Sequence, residues 1–154
     1  MSALFGPEAR VAWVFPGQGS QAVGMGKALY DAYSEVRTLY EHADSVLGYS
    51  LSTLCFEGPA DALQQTDHAQ PALLVTEIAH LTALRRRYPG EFERPRFVAG
   101  HSLGEYAALV AAQALDFDSA LKLVAERGRL MQVVGSTLGN PSGMAAILGL
   151  PEDA

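Results

Sequence analysis

Short apolar runs along the chain alternate with longer stretches in which apolar residues recur every three or four positions. The uninterrupted run at 11–15 ends at Pro16-Gly17, which predicts a buried strand. A second strand is predicted at 97–100. A third is predicted at 144–150, after the Gly-rich, loop-like stretch 135–143.

Helical signals follow each of the first two runs. Between Leu29 and Leu47 the apolar residues are spaced by alternating steps of four and three, which places them on one helix face, and Gly48 ends the pattern. The predicted helices are 27–47, a short helix from Pro59, Pro71 to Tyr88, one that follows Gly100, and one capped by Asp116 or Asp118 that runs to about Val134. Strands followed by helices imply an α/β fold with a parallel sheet.

Composition narrows the class of protein. The chain has 154 residues, of which 49% are hydrophobic and 18% charged, as in an ordinary globular domain. Its net charge of −6 argues against a general nucleic-acid binder. Cys55 is the single cysteine, so no intrachain disulfide can form, which fits a reducing compartment. There is no secretory signal and no apolar stretch long enough to span a bilayer, so we expect a cytoplasmic protein without membrane contact.

A possible nucleophile lies between the second predicted strand and the following helix. Gly100-His101-Ser102-Leu103-Gly104 matches the G-x-S-x-G pattern, in which a sharp turn projects the serine hydroxyl. Glycines flank the turn because side chains there would collide with the strand and the helix. The start of the helix offers free N–H groups to a developing oxyanion. The structural alternative is a tight turn in which Ser102 merely caps the helix.

Four motifs, in order along the chain, resemble those of malonyl- and acyl-CoA:acyl-carrier-protein transferases. The resemblance covers almost the whole chain from Val11 onward, and it implies the parallel-sheet, hydrolase-like α/β core of an acyltransferase. The motifs are Phe15-Pro16-Gly17-Gln18-Gly19-Ser20-Gln21 with Gly24-Met25-Gly26, then Gly100-His101-Ser102-Leu103-Gly104-Glu105-Tyr106, then Glu126-Arg127-Gly128 with Leu130-Met131-Gln132, and Gly143-Met144-Ala145-Ala146-Ile147.

The resemblance implies a role for each site residue. Ser102 would attack a thioester and carry the acyl group, while Gln18 and the backbone of Leu103 would form the oxyanion hole. Arg127 would bind the free carboxylate of a malonyl group. His101 would lie near the pocket in a supporting role. Taken from its apolar neighbours alone, Arg127 would instead be interpreted as a surface residue.

The implied reaction moves a malonyl group from malonyl-CoA to the phosphopantetheine thiol of acyl carrier protein, in fatty-acid biosynthesis. Malonyl-CoA is then a substrate, the phosphopantetheine belongs to the acceptor protein, and no bound cofactor or metal is expected. Acyl carrier protein and a CoA thioester are the expected partners.

The resemblance also implies that this sequence covers only part of such an enzyme. Residues 1–135 would form the N-terminal part of the α/β core, and residues 136–154 a linker and the first strand of a small ferredoxin-like subdomain. The family's catalytic histidine base would lie beyond position 154. We therefore expect the C-terminal half as a second chain or piece.

Three alternative functions remain open on the sequence. A polyketide-synthase acyltransferase shares the same motifs. A serine hydrolase shares the elbow at Ser102, although it would carry a Gly-rich oxyanion loop in place of Gly17-Gln18-Gly19-Ser20-Gln21. The third alternative is a non-catalytic half that only docks to a partner.

The remaining chemistry-bearing residues are interpreted as structural. The glycines around Gln18 lack the third glycine of a dinucleotide-binding loop, because position 22 is Ala22. The arginine run 85–87 is interpreted as a solvated helix end, with contact to a carrier protein as the alternative. No metal site is expected, since the other histidines have no metal-ligand spacing and one cysteine offers no thiolate pair. These residues are His42, His68, His80 and Cys55.

Overall fold

A parallel pair of strands organises the computed structural model, which describes residues 11–90 and 95–137. Strand β1 (Ala12–Phe15) pairs with β2 (Phe97–Gly100), with Ala12 opposite Phe97 and Phe15 opposite Gly100. Both strands were predicted, within one residue, and the parallel α/β class is confirmed. The strand predicted at 144–150 lies outside the described residues.

The described part of the chain contains seven helices besides the two strands. They are α1 (Lys27–Ala32), α2 (Ser34–Leu47), α3 (Leu51–Glu57), α4 (Ala60–Gln64), α5 (Thr66–Arg87), α6 (Gly104–Ala111) and α7 (Phe117–Thr137). Helix α5 is the core helix, because every residue from Ala69 to Ala79 is buried. A helix buried all round lies inside a domain rather than on its surface.

Two helix predictions are wrong in their boundaries. The helix predicted at 27–47 is two helices, because Tyr33 takes an extended backbone (φ −128°, ψ 121°) between them. Pro71 does not open its helix but lies inside α5, which begins at Thr66. The turn before Pro71 stays helical because it carries Ala69 and Gln70, both fully buried in the core. Helix α3 was not predicted.

Helix α7 begins as predicted and ends later than predicted. The Asp116 carboxylate accepts a hydrogen bond from the backbone N–H of Ser119 (2.8 Å), so Asp116 caps the helix. The helix continues to Thr137, through Gly135, where the sequence predicted a loop. A single glycine costs a helix about 1 kcal/mol, which the packing of a long helix can offset.

One face of the two-stranded sheet is not covered by the described part of the chain. Val14 is 74% exposed and Phe97 is 65% exposed, on the same face of the paired strands. The prediction of a buried strand is therefore correct for Phe15 and wrong for Val14. Parallel sheets ordinarily bury both faces, so this face has the composition of an interface.

Helices α5 and α7 approach each other through Gly128. A Cβ atom at this position would lie 2.7 Å from the carbonyl oxygen of Thr66 and 2.9 Å from the Cα of Asp67. Both are backbone atoms, so neither can move aside as a side chain does. Glycine at this point lets α7 bring the neighbouring Arg127 against the start of α5.

Replacement of this glycine tests the helix contact. Gly128→Ala is expected to lower the free energy of unfolding by about 1–3 kcal/mol through overpacking. At an open helix position the same change would raise it by about 1 kcal/mol. Urea unfolding measures the difference, with Lys122→Ala on the exposed side of α7 as a near-neutral control. A Gly128→Ala chain as stable as the parent would contradict the close approach.

Candidate active site

Ser102 occupies a strained turn between β2 and α6. Its φ of 54° lies in the left-handed region, where only one other described non-glycine residue, Gln113, is found. A Cβ at Gly100 would collide with the backbone of Gly104, and a Cβ at Gly104 would collide with the carbonyl of Phe15. Strain of this kind is found where surrounding structure holds a functional side chain in place.

The alternative in which Ser102 merely caps a helix is not supported by the hydrogen bonds. The residue at the N-cap of α6 is Leu103, and no side chain caps that helix. The Ser102 hydroxyl instead accepts a hydrogen bond from Nη2 of Arg127 (2.9 Å). The serine thus presents its oxygen to a cation, 25 residues away in the sequence.

Arg127 is held on both sides of its guanidinium. Nη2 points at Ser102, and Nη1 donates to Oε1 of Gln70 (2.7 Å). The guanidinium carbon also lies 5.9 Å from the centre of the Tyr106 ring. Arg127 is half-buried and hydrogen-bonded on two sides, so its interpretation as a surface residue, from its neighbours alone, is correct only in part. A guanidinium fixed in this way is suited to bidentate recognition of a carboxylate.

Gln70 is a site residue that the sequence reasoning missed. Its side chain is fully buried on α5, and besides accepting from Arg127 it donates Nε2–H to the sulfur of Met131 (3.2 Å). A polar residue inside the apolar run AQPALLV was the available signal, because a buried amide needs partners. The identity of those partners depends on α7, 57 residues further along.

Gln18 lies in the loop that follows β1. Its Nε2 donates to the hydroxyl of Thr66 (3.1 Å), and the Thr66 N–H donates to Oε1 of Gln132 on α7 (3.3 Å). Nearby, the buried Gln21 accepts from Gly19 N–H (2.7 Å) and donates to Gln64 (2.6 Å). These contacts fix the β1 loop against α4 and α5. A glutamine amide has two N–H donors, so Gln18 retains one for a ligand.

His101 and Leu103 hold the elbow against the β1 loop. The His101 N–H donates to the carbonyl of Phe15 (3.0 Å), which extends the strand pairing into the turn. A Cβ at Gly17 would lie 2.6 Å from the His101 oxygen and 2.7 Å from its Nδ1, so only glycine fits there. The Leu103 side chain is fully buried, and its N–H lies in the helix-start region that lacks intrahelical acceptors.

The site is positively polarised. A guanidinium and the start of a helix both lie beside the serine oxygen, and both favour a negative charge there. Among residues 11–90 and 95–137, no imidazole or carboxylate is hydrogen-bonded to Ser102. The described part therefore places a serine hydroxyl beside a guanidinium (2.9 Å).

The other candidate residues have structural partners. Cys55 is fully buried, and burial raises the pKa of its thiol to about 12. In the arginine run, Arg86 pairs with Glu35 (3.1 Å) and the guanidinium of Arg85 lies 5.6 Å from the centre of the Trp13 ring. The three remaining histidines hydrogen-bond within the fold: His42 with Asp118 (2.7 Å), His68 with the Ala62 carbonyl (3.1 Å), and His80 with the Thr76 carbonyl (2.8 Å).

A strained serine elbow on a parallel sheet, facing an arginine, is the type of site that acyl transfer requires. Residues 12–150 match the acyl transferase domain family. The chain belongs to this family. The resemblance inferred from the four motifs is thereby confirmed.

Two relatives of similar sequence are both named malonyl CoA-acyl carrier protein transacylases. The chain is 46% identical over 144 residues to the polyketide biosynthesis malonyl CoA-acyl carrier protein transacylase PksC of Bacillus subtilis, covering 93% of this chain and 46% of that protein. It is also 46% identical over 145 residues to the malonyl CoA-acyl carrier protein transacylase of the same organism, covering 94% of this chain and 44% of that protein.

A solved structure shares the fold. It is an acyl carrier protein S-malonyltransferase from Vibrio cholerae, with 48% identity and a TM-score of 0.74, matched over 80% of this chain and 40% of that one. The chain thus spans about half the length of the relatives it matches. No helix among the described residues is long and apolar enough to cross a membrane.

The backbone strain at Ser102 can be measured with two variants. Both Ser102→Gly and Ser102→Ala remove the hydroxyl, but only glycine adopts a φ of 54° without steric cost. The glycine variant is therefore expected to be the more stable of the two by about 1 kcal/mol in urea unfolding.

The same pair of substitutions at Ser45, exposed on α2, is the matched control. There the order should reverse, with glycine less stable than alanine by about 1 kcal/mol, because the backbone is helical. If the alanine variant were the more stable one at Ser102 as well as at Ser45, the elbow geometry would be contradicted.

Proposed function

We propose that this chain carries the acyl-accepting serine of a malonyltransferase that moves a malonyl group from malonyl-CoA to acyl carrier protein. The observation that carries the proposal is the 2.9 Å contact between Arg127 and the Ser102 hydroxyl. It supports the proposal because a guanidinium, which is suited to binding a carboxylate, lies next to the serine hydroxyl. The names of the relatives, which are malonyl CoA-acyl carrier protein transacylases, support the same substrate and acceptor.

The reaction proceeds in two displacements at Ser102. The serine oxygen attacks the thioester carbonyl of malonyl-CoA while a base takes the hydroxyl proton. The carbon–sulfur bond then breaks and CoA leaves as the thiol, after receiving that proton. In the second displacement the base takes the proton of the carrier protein's phosphopantetheine thiol as its sulfur attacks the serine ester. The carbon–oxygen bond to Ser102 then breaks, Ser102 receives that proton, and the malonyl thioester is released. An acyl-enzyme divides one difficult transfer into two easier steps.

The oxyanion of each tetrahedral intermediate lies between two donors. The Leu103 N–H projects from the start of α6, and the Gln18 amide approaches from the β1 loop. Thr66 positions Gln18 by accepting one of its two N–H groups (3.1 Å). Removal of one such donor typically costs a factor of about 100–1,000 in turnover.

Arg127 selects the acyl group through its free carboxylate. In a malonyl ester one CH2 group separates the carboxylate from the ester carbonyl carbon, so the carboxylate is within reach of a guanidinium that contacts the serine oxygen (2.9 Å). Gln70 keeps the guanidinium plane oriented by accepting from Nη1 (2.7 Å). An acetyl group has no carboxylate and would leave this cation without a partner. His101 supports the elbow through its packing on Gly17.

The base and the rest of the site come from a C-terminal half. The matched relatives are about twice as long as this chain, since it covers 46% and 44% of two of them. We propose that the histidine base lies in that half and that residues 136–154 lead into a small ferredoxin-like subdomain. Fatty-acid biosynthesis is the proposed pathway, and the polyketide relative keeps a polyketide acyltransferase as the second candidate. A cytoplasmic location stays a prediction.

Intact-mass measurement tests the proposal directly. The chain is mixed with malonyl-CoA, alone and fused after residue 154 to the C-terminal portion of the Vibrio cholerae S-malonyltransferase. The fused protein is expected to gain one malonyl group and the unfused chain little or none, because the base is supplied by the C-terminal portion. Ser102→Ala in the fused protein should abolish the adduct.

Three results would contradict this account. Full acylation of the unfused chain would show that no base from a C-terminal half is needed. A fused protein that is folded but neither acylated by malonyl-CoA nor active on carrier protein would favour a non-catalytic half. Rapid release of malonate without an adduct would instead indicate a serine hydrolase.

The role of Arg127 predicts a change in acyl selectivity. In the fused protein, Arg127→Ala is expected to slow formation of the malonyl adduct at least tenfold, the equivalent of about 1.4 kcal/mol, and to leave the rate with acetyl-CoA unchanged or higher. Rates are measured by intact mass at short times.

The matched control is Arg129→Ala, on the same helix. Arg129 pairs with Glu126 (2.7 Å) on the exposed surface and should affect neither substrate. Arg127→Lys tests geometry, since an ammonium keeps the charge but cannot form the bidentate pair. If Arg127→Ala slowed adduct formation equally with malonyl-CoA and acetyl-CoA, Arg127 would not be the residue that recognises the carboxylate.

A further inference from the structure

Thr66, the first residue of α5, is held by α7 at two points. Its backbone N–H donates to Oε1 of Gln132 (3.3 Å). Its carbonyl oxygen lies 2.7 Å from the position that a Cβ at Gly128 would take, so the two backbones are in close contact there. Gly128 and Gln132 are four residues apart on α7 and therefore lie on the same face of that helix. Two separate contacts thus fix Thr66 against α7.

Gln132 provides a cap for α5 from a distant part of the chain. The first N–H groups of a helix have no intrahelical acceptor. The N-cap residue Gln65 makes no side-chain capping hydrogen bond, and the Gln132 amide, 66 residues further along, accepts from Thr66 instead. Because this acceptor belongs to another helix, it ties the start of α5 to α7, which a local cap would not do.

The Thr66 hydroxyl contacts a residue of the candidate oxyanion hole. It accepts a hydrogen bond from Nε2 of Gln18 (3.1 Å), in the loop that follows β1. The Gln18 side chain is exposed, so close packing does not hold it in one rotamer. Fixing a glutamine side chain costs conformational entropy, which a specific hydrogen bond offsets. The position of Gln18 therefore depends on the position of Thr66.

Helix α7 thus reaches two functional parts of the candidate site. Arg127 contacts the Ser102 hydroxyl directly (2.9 Å). Five residues later, Gln132 contacts Thr66, which in turn accepts from Gln18. A displacement of this part of α7 relative to α5 would move the guanidinium and the Gln18 amide together.

We propose that Gln132 is a positioning residue for the oxyanion hole and that it acts on Gln18 through Thr66. The inference rests on the proposed function, in which Gln18 stabilises the oxyanion. It gives α7 a second task besides the recognition of a carboxylate. The two tasks differ in one respect that can be measured: an oxyanion forms with every acyl group, whereas only some acyl groups carry a carboxylate.

Loss of the Gln132 amide is expected to slow acyl transfer without changing acyl selectivity. In the fused protein, Gln132→Ala should lower the maximal rate of Ser102 acylation about tenfold with both malonyl-CoA and acetyl-CoA, and leave the half-saturating concentrations nearly unchanged. A misplacement of about 1 Å in an active site can cost a factor of about 100. The matched control is Lys122→Ala, exposed on the same helix, which should change neither rate.

Variants of Thr66 separate positioning from packing. Thr66→Val keeps the shape and removes the hydroxyl, so acylation should fall at least as far as in Gln132→Ala. Thr66→Ser keeps the hydroxyl and should retain most of the parent rate. The double variant Thr66→Val/Gln132→Ala should be as fast as Thr66→Val alone, because Gln132 acts through the hydrogen bond that is already lost.

The side-chain amide of Gln18 gives a readout that does not depend on catalysis. In the full chain labelled with ¹⁵N-glutamine, its resonances are assigned from Gln18→Glu, which lacks them. Thr66→Val is expected to shift these resonances because the amide loses its acceptor. Gln132→Ala should shift them in the same direction by a smaller amount, and Thr66→Ser should leave them near the parent position. Circular dichroism and urea unfolding verify that each variant is folded.

The outcomes separate this inference from the proposed function. Gln18 resonances that move in Gln132→Ala, in a fused protein that is never malonylated, would support the contact through Thr66 and overturn the proposed reaction. A folded Gln132→Ala chain with unmoved Gln18 resonances would overturn the positioning role, whatever the fused protein does. Losses that multiply in the double variant, or a rate that falls with malonyl-CoA alone, would overturn it as well, because Gln132 would then act by another route.

Discussion

The guanidinium of Arg127 joins three segments that lie far apart in the chain. It contacts the elbow through Ser102 and the core helix through Gln70, while its own helix α7 lies against the start of α5 at Gly128. Each contact constrains the others, because a fully buried amide and a close backbone approach leave little room for adjustment. The placement of the Ser102 hydroxyl beside a cation therefore depends on the packing of α5 against α7.

Helix α5 serves different purposes along its length. Its first turns carry Thr66 and Gln70, which position the Gln18 amide and the Arg127 guanidinium. Its middle packs in the core, where every residue from Ala69 to Ala79 is buried. Its last turn carries the arginine run, where Arg86 pairs with Glu35. One helix thus connects the candidate active site with the core and with the surface at its C-terminal end.

One face of the sheet is exposed, and no base is hydrogen-bonded to Ser102 among the described residues. In the proposed enzyme both have the same cause, because the C-terminal half is not part of this sequence. A parallel sheet is stable when both faces and its central strands are covered, and here Val14 and Phe97 are not. The described chain also brings no base to Ser102. In the proposed enzyme the C-terminal half supplies the base, and by covering this apolar surface it would complete the fold as well.

Local sequence determined the two strands, the elbow and the positions of the motif residues, because these depend on short-range sterics: glycines at 100 and 104 and an apolar run before each turn. Only the tertiary structure decided what the polar side chains touch. The partner of Gln70 is 57 residues away, the break at Tyr33 interrupts a continuous apolar stripe, and the charged Glu77 is buried on α5. The periodicity of apolar residues along a chain specifies which face of a helix or strand is buried. Which residue a buried polar side chain contacts depends on how distant segments pack together.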